Sequence, residues 1–122
     1  MINYTHLPDL NEIVLEESWV LAITVKACHV RFAIEAVLTD SHPLYEPHHT
    51  GEQFCYKKSI WEFQDVRSVV WTMRNKPAID ANGEYDYGHF DEVNIEPPSY
   101  TILGDFGAMT IISSEPRLTI LD

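Results

Sequence analysis

Basic side chains are missing from most of the last third of this chain. None of the eight lysines and arginines lies between residues 77 and 116, although eight of the nineteen acidic residues do. Residues 1 to 76 hold ten acids and seven bases and contribute only −3 to the formal net charge of −11. A surface of this sign repels phosphate groups, so nucleic-acid binding through a basic groove is not expected, and a basic partner is. Cysteine is scarce too. Cys28 and Cys55 match neither the dense framework of a small secreted domain nor a Cys-x-x-Cys redox or zinc pair, which leaves two reduced, partly buried thiols. No apolar run free of charge approaches membrane length, and the N-terminus lacks a basic start followed by an apolar stretch. The expectation is a cytoplasmic protein with no membrane span or leader. Helical periodicity is also missing. No window shows apolar residues at the three-to-four spacing that a helix of ordinary length needs.

What the chain does have is a long apolar segment, Glu16 to Thr39, that any fold must bury. In its second half Val30, Phe32, Ile34, Ala36 and Leu38 alternate with Arg31 and Glu35. In its first half Trp19, Leu21, Ile23 and Val25 alternate with Thr24 and Lys26. A period of two is the mark of a strand with one face on a core. Wound as a helix at about 100° per residue, the same residues would put charges on opposite sides. The segment therefore reads as an antiparallel hairpin turning about Lys26 to His29, with a bulge near Glu16 to Ser18, where Glu17 interrupts the apolar face.

The rest of the chain continues in the same style. Residues 2–11 read as an edge strand or arm, and residues 40–53 as a long loop. Strands are expected over 54–58, 59–64 and 66–73, the last with Val69, Trp71 and Met73 on one face. A second irregular region spans 74–99 and carries a short strand near Phe90 to Ile95, closed off by Pro97 and Pro98. Strands at 100–103 and 108–112 flank a glycine-rich turn, and Leu118 to Leu121 forms the last. At 122 residues about two-thirds of the unfolded chain's surface can be buried without staples. The expectation is a single mainly-β domain over residues 1–122: seven to nine antiparallel strands, a meander closing as a sandwich or partly open barrel, with at most one short helix.

Four constellations invite a chemical reading. His42, His48, His49, Glu52 and Cys55 gather three imidazoles, a carboxylate and a thiol, the donor types that zinc or iron takes. Their spacing matches no established ligand pattern, and the plain alternative is a solvated polar loop. Asp80, Asn82, Gly83, Glu84 and Asp86 faintly resemble a calcium loop. The glycine falls at the wrong position, however, and no flanking helices are expected. Asp105-Phe106-Gly107 spells the magnesium-binding triplet of protein kinases without any other kinase element, and is better read as a hairpin corner. Neither cysteine stands in a nucleophile signature.

The fourth is the acidic, aromatic run Glu84-Tyr85-Asp86-Tyr87-Gly88-His89-Phe90-Asp91-Glu92. Carboxylates steer a cationic surface over long range, and tyrosines supply large anchors of low entropy, which is how tight interfaces divide rate from affinity. The plain alternative is tyrosines packed inward behind a solvated acidic rim.

The segments LEESWVLAI, LTDSHPLYEP, FCYKKSIWEF and LGDFG, taken together, resemble small acidic bacterial single-domain proteins of unknown function, some of which are toxin-immunity proteins. The resemblance implies a cytoplasmic antidote that binds a basic toxin domain by mimicking nucleic acid, and it assigns no residue roles. The reading is a non-catalytic protein-binding module without cofactor, with Asp80, Glu84, Tyr85, Asp86, Tyr87, Asp91 and Glu92 as contact residues. The alternative is a small metal-dependent enzyme or metal sensor built on the His42, His48 and His49 loop with Glu52. A homodimer through unpaired sheet edges is a third reading.

Overall fold

A computed structural model describes residues 2–47, 54–74, 77–79, 81–83 and 85–121. The long apolar segment forms the expected hairpin, β2 (Ile13–Lys26) and β3 (His29–Leu38), after a two-residue strand β1 (Ile2–Asn3) and two single 3-10 turns at Tyr4–His6 and Pro8–Leu10. β4 (Cys55–Gln64) pairs with β3, and β5 (Ser68–Thr72) follows. Two short strands, β6 (Ala78–Ile79) and β7 (Tyr85–Asp86), pair with each other. β8 (Phe90–Glu96), β9 (Ser99–Gly104), β10 (Gly107–Ile112) and β11 (Arg117–Ile120) complete the chain.

All pairings are antiparallel. One sheet runs β1-β8-β9-β10-β5 and the other β11-β4-β3-β2. They face each other over one apolar core as a sandwich. Phe32, from the four-stranded sheet, lies 5.6 Å from the Phe90 ring and 5.8 Å from that of Phe106, and Phe63 lies 5.6 Å from Tyr100. Each such pair adds about 0.5–1.5 kcal/mol to what burial itself contributes. The sandwich is laced at one corner, where Val20 N–H donates to Gly88 O at 2.8 Å and Tyr87 N–H to Val20 O at 3.2 Å. The result is a mainly-β fold without a closed barrel, and among the described residues no helix is long and apolar enough to cross a membrane.

Three local differences from the sequence pattern have physical causes. First, in β3 every alternate apolar residue from Val30 to Leu38 is buried, but β2 carries two register shifts against it, between Val14 and Trp19 and between Val20 and Ala22. The first is the expected bulge. It turns the inward face to Ser18 and Val20, which are fully buried, whereas Trp19, expected inside, is 36% exposed; the second shift, between Val20 and Ala22, returns the more buried positions to Leu21 and Ile23. Second, the strands expected at 54–58 and 59–64 are one, because Ser59 is small enough to be buried and donates its hydroxyl to Lys57 O at 3.0 Å. Third, β5 ends at Thr72. Met73 has φ +52°, leaves the strand and is 72% exposed rather than sharing a face with Trp71.

Where β2 breaks register, a side chain mends the ladder. Ser18, with no exposed surface, donates to Val14 O at 2.7 Å and accepts from Val37 N–H at 2.9 Å. Tyr4 supports the same strand, since its hydroxyl accepts Leu15 N–H at 3.1 Å and donates to Glu16.

Candidate functional site

Charge is divided between the two sheets. The strands of the four-stranded sheet carry Lys26, Arg31, Lys57, Lys58 and Arg117 against Glu16, Glu17, Glu35 and Glu62, and those of the five-stranded sheet carry Asp91, Glu92 and Glu96 with no base. Ion pairing follows the same division. Glu62 takes His29 Nε2 at 2.7 Å and the Arg31 guanidinium at 2.8 Å, Lys57 meets Glu46, and Arg117 meets Asp9 at 2.7 Å. The Arg31 guanidinium, ahead of the opposing effect of burial, holds the Glu62 carboxyl below its usual range, with His29 adding to it. Partial burial pushes Asp9 upward, but hydrogen bonds from Arg117 and the Leu118 amide outweigh it and leave the carboxyl lowered. Asp91, Glu92 and Glu96 are exposed and make no ion pair among the described residues.

Asp91 and Glu92 are neighbours in sequence, and in a regular strand one of them would point into the core. A register shift between Phe90 and Glu92 removes that requirement. Phe90 stays buried, both carboxylates face water, and Val93 and Ile95 resume the inward alternation. The outer face then runs in rows across the strands: Glu92, Leu103, Ala108 and Thr72; Asn94, Thr101, Thr110 and Val70; Glu96, Ser99, Ile112 and Ser68. It is a face of small and apolar side chains with an acidic border along β8.

The remaining expected contact residues divide. Tyr85 projects into solvent at 62% exposure, whereas Tyr87 packs against the core. Asp86 is half-buried and its Oδ1 accepts Gly88 N–H at 2.8 Å. Asp80 and Glu84 lie outside the described residues, as do His48, His49 and Glu52 of the metal reading. Of that loop, His42 Nδ1 accepts Leu44 N–H at 3.0 Å, and Cys55 is buried with its thiol receiving Glu46 N–H at 3.5 Å. Among the described residues no three His, Cys, Asp or Glu side chains converge on a position for a metal ion.

One cleft at the laced corner has no motif in the sequence to mark it. Trp19, Pro77, Tyr87 and Phe106, with the carboxylates of Asp86 and Asp105, line a cleft of about 320 Å³ where β2 meets β7 and the β9–β10 turn. Trp19 stacks on His89 with ring centroids 3.8 Å apart, and His89 Nδ1 donates to Ser18 O at 3.0 Å. The signal for this corner was the pair of aromatic residues beside acidic ones. Trp19 sits 68 positions before Tyr87, and only the sheet-to-sheet corner joins them. Comparison with known protein families, with curated sequences and with solved structures returned no match.

Proposed function

We propose that the chain is a non-catalytic binding module that docks a basic protein on the acidic border of its five-stranded sheet. The resemblance to toxin-immunity proteins makes a basic toxin domain the natural candidate. The observation that supports this reading is the segregation of ion pairs. On the four-stranded side Glu62, Glu46 and Asp9 have cationic partners, whereas Asp91, Glu92 and Glu96 stand exposed on β8 with no ion pair among the described residues. Like charges held close together destabilise a fold modestly, and a partner's cations relieve that repulsion on docking. Thr101, Thr110, Ala108 and Val70 beside them offer a surface without long flexible side chains, which keeps the ordering cost of association low.

The test is affinity capture followed by kinetics on the captured protein. A basic partner whose association rate falls about tenfold or more between low and physiological salt is expected, with a comparable loss in the Asp91→Asn/Glu92→Gln/Glu96→Gln variant. A partner that binds equally well at high salt and to the neutralised variant would overturn the reading, as would recovery of acidic partners alone.

A further inference from the structure

Three turns meet at one end of the sandwich: residues 65–67 between β4 and β5, 97–98 between β8 and β9, and 113–115 after β10. Hydrogen bonds tie them together. Arg67 N–H donates to Ile112 O at 2.7 Å, Ser114 N–H to Gln64 O at 3.1 Å and Ser113 N–H to Pro98 O at 3.0 Å, and the Ser114 hydroxyl donates to Asp65 Oδ2 at 2.7 Å. Between the turns lies a cleft of about 700 Å³, inside the range of about 300–1,000 Å³ where ligand sites fall. Walls bonded to one another are preformed, so an occupant does not have to order them.

The polar groups facing this cleft are not matched to each other. Arg67 and Glu115 both line it, come from different turns and make no ion pair among the described residues. Tyr100 is the third such group. It is only 2% exposed, yet its hydroxyl makes no hydrogen bond among the described residues and is not sealed from solvent, so the little surface it keeps is at the cleft. A buried tyrosine ordinarily finds a partner for its hydroxyl. Burial, with the charge of Glu115 adding to it, pushes the Tyr100 pKa up, so the group keeps its proton and is a donor. Val66, Pro97 and Pro98 give the remaining wall an apolar character.

The mixture of signs selects the occupant. An anion alone would meet Arg67 but also the carboxylates of Glu115 and Asp65. A cation alone would meet those carboxylates but also Arg67. A neutral apolar molecule would cover both signs and pair neither, which is costly. We propose that this cleft binds a small zwitterion, an amino acid or short peptide, with its carboxylate on the Arg67 guanidinium and the Tyr100 hydroxyl and its ammonium on Glu115. A guanidinium takes a carboxylate through two parallel charge-assisted bonds, and an ammonium bonds a carboxylate in the same charge-assisted way. An apolar side chain of the ligand lies against Val66, Pro97 and Pro98. The proposal goes beyond the docking reading and stands apart from it, since no protein partner enters it.

The intact chain is titrated with L-leucine and glycyl-leucine, which carry both charges at different separations, with leucinamide, which carries only the cation, and with N-acetyl-leucine, which carries only the anion. NMR follows the backbone amides of Arg67, Ser113 and Ser114. At least one zwitterion is expected to shift these signals saturably and about tenfold or more tightly than either singly charged analogue. The tighter of leucine and glycyl-leucine tells an amino-acid site from a peptide site. Arg67→Gln is expected to reduce the zwitterion to the affinity of leucinamide, and Glu115→Gln to that of N-acetyl-leucine; both positions are exposed, so the spectrum away from the cleft stays unchanged. Tyr100→Phe keeps the buried ring and is expected to weaken the zwitterion about tenfold. No saturable shift with either zwitterion, binding of a singly charged analogue as tight as theirs, or an Arg67→Gln or Glu115→Gln variant that binds as wild type does would overturn the proposal.

Discussion

Replacing Ser18 by alanine tests how the β2 bulge is held together. The hydroxyl bridges the break in the β2–β3 ladder, donating to Val14 O at 2.7 Å and accepting Val37 N–H at 2.9 Å. Ser18 has no exposed surface and Val37 only 2%, so water cannot replace the lost partner of the Val37 amide. Val14 is half-buried, and its carbonyl is partly compensated by solvent. An orphaned buried group costs about 1–3 kcal/mol. The two together set the expected loss at about 2–4 kcal/mol, against a total stability on the order of 5–15 kcal/mol for a domain. With a urea slope of about 1–3 kcal/mol per molar, the midpoint falls by roughly 1–2 M while the slope is unchanged. Thr119→Ala, at an exposed position on β11, should stay within about 0.5 kcal/mol of wild type. Hydrogen exchange adds a local readout, since the Val37 amide should lose protection beyond the global change. A Ser18→Ala loss below about 0.5 kcal/mol, with Val37 still protected, would refute the view that this side chain substitutes for ladder bonds.

Two further substitutions probe the corner and the charge ladder. Gly88→Ala imposes a left-handed φ on an L-residue, about 1–3 kcal/mol of strain, and drives its β-carbon into Asp105. Thermal unfolding should show the loss, and Trp19 fluorescence should change in the folded state; a variant identical to wild type in both would contradict the tight corner. Glu62, whose carboxyl the Arg31 guanidinium holds below the ordinary range, stabilises the fold above the unfolded carboxylate pKa, and this contribution disappears as pH falls through the lowered folded value. Glu62→Gln should therefore flatten the acid side of the stability–pH curve, by less than about 1 kcal/mol because the pair is partly exposed. An unchanged acid limb would show that the pairing contributes nothing.

Much of the architecture was legible because alternation is a local property. Val30 to Leu38 alternate without a break, and all five inward residues are buried. Glu17 announced the first bulge by placing a charge in an apolar frame. The second shift had no such mark, since Trp19, Leu21 and Ile23 read as one unbroken face; hydrogen bonds from Val20 to Gly88 and from Tyr87 to Val20 accompany the local change of face. Similarly, Lys57, Lys58 and Ser59 looked like an interruption, because a buried serine bonded to its own strand cannot be told from a turn serine by type alone. The acidic run was visible as composition. That Tyr87 turns inward while Tyr85 does not depends on what the opposite sheet offers it.

The sequence by itself determined the strand class, the hairpin and the sign of the charge in the last third of the chain, because side-chain periodicity and charge count require no partner to be read. Tertiary structure decided which sheet carries the exposed carboxylates of β8 and brought Trp19 to the same corner as Asp86 and Asp105. Those outcomes depend on bulges and on hydrogen bonds between residues distant in the chain, and such contacts exist only once the two sheets have closed over their core.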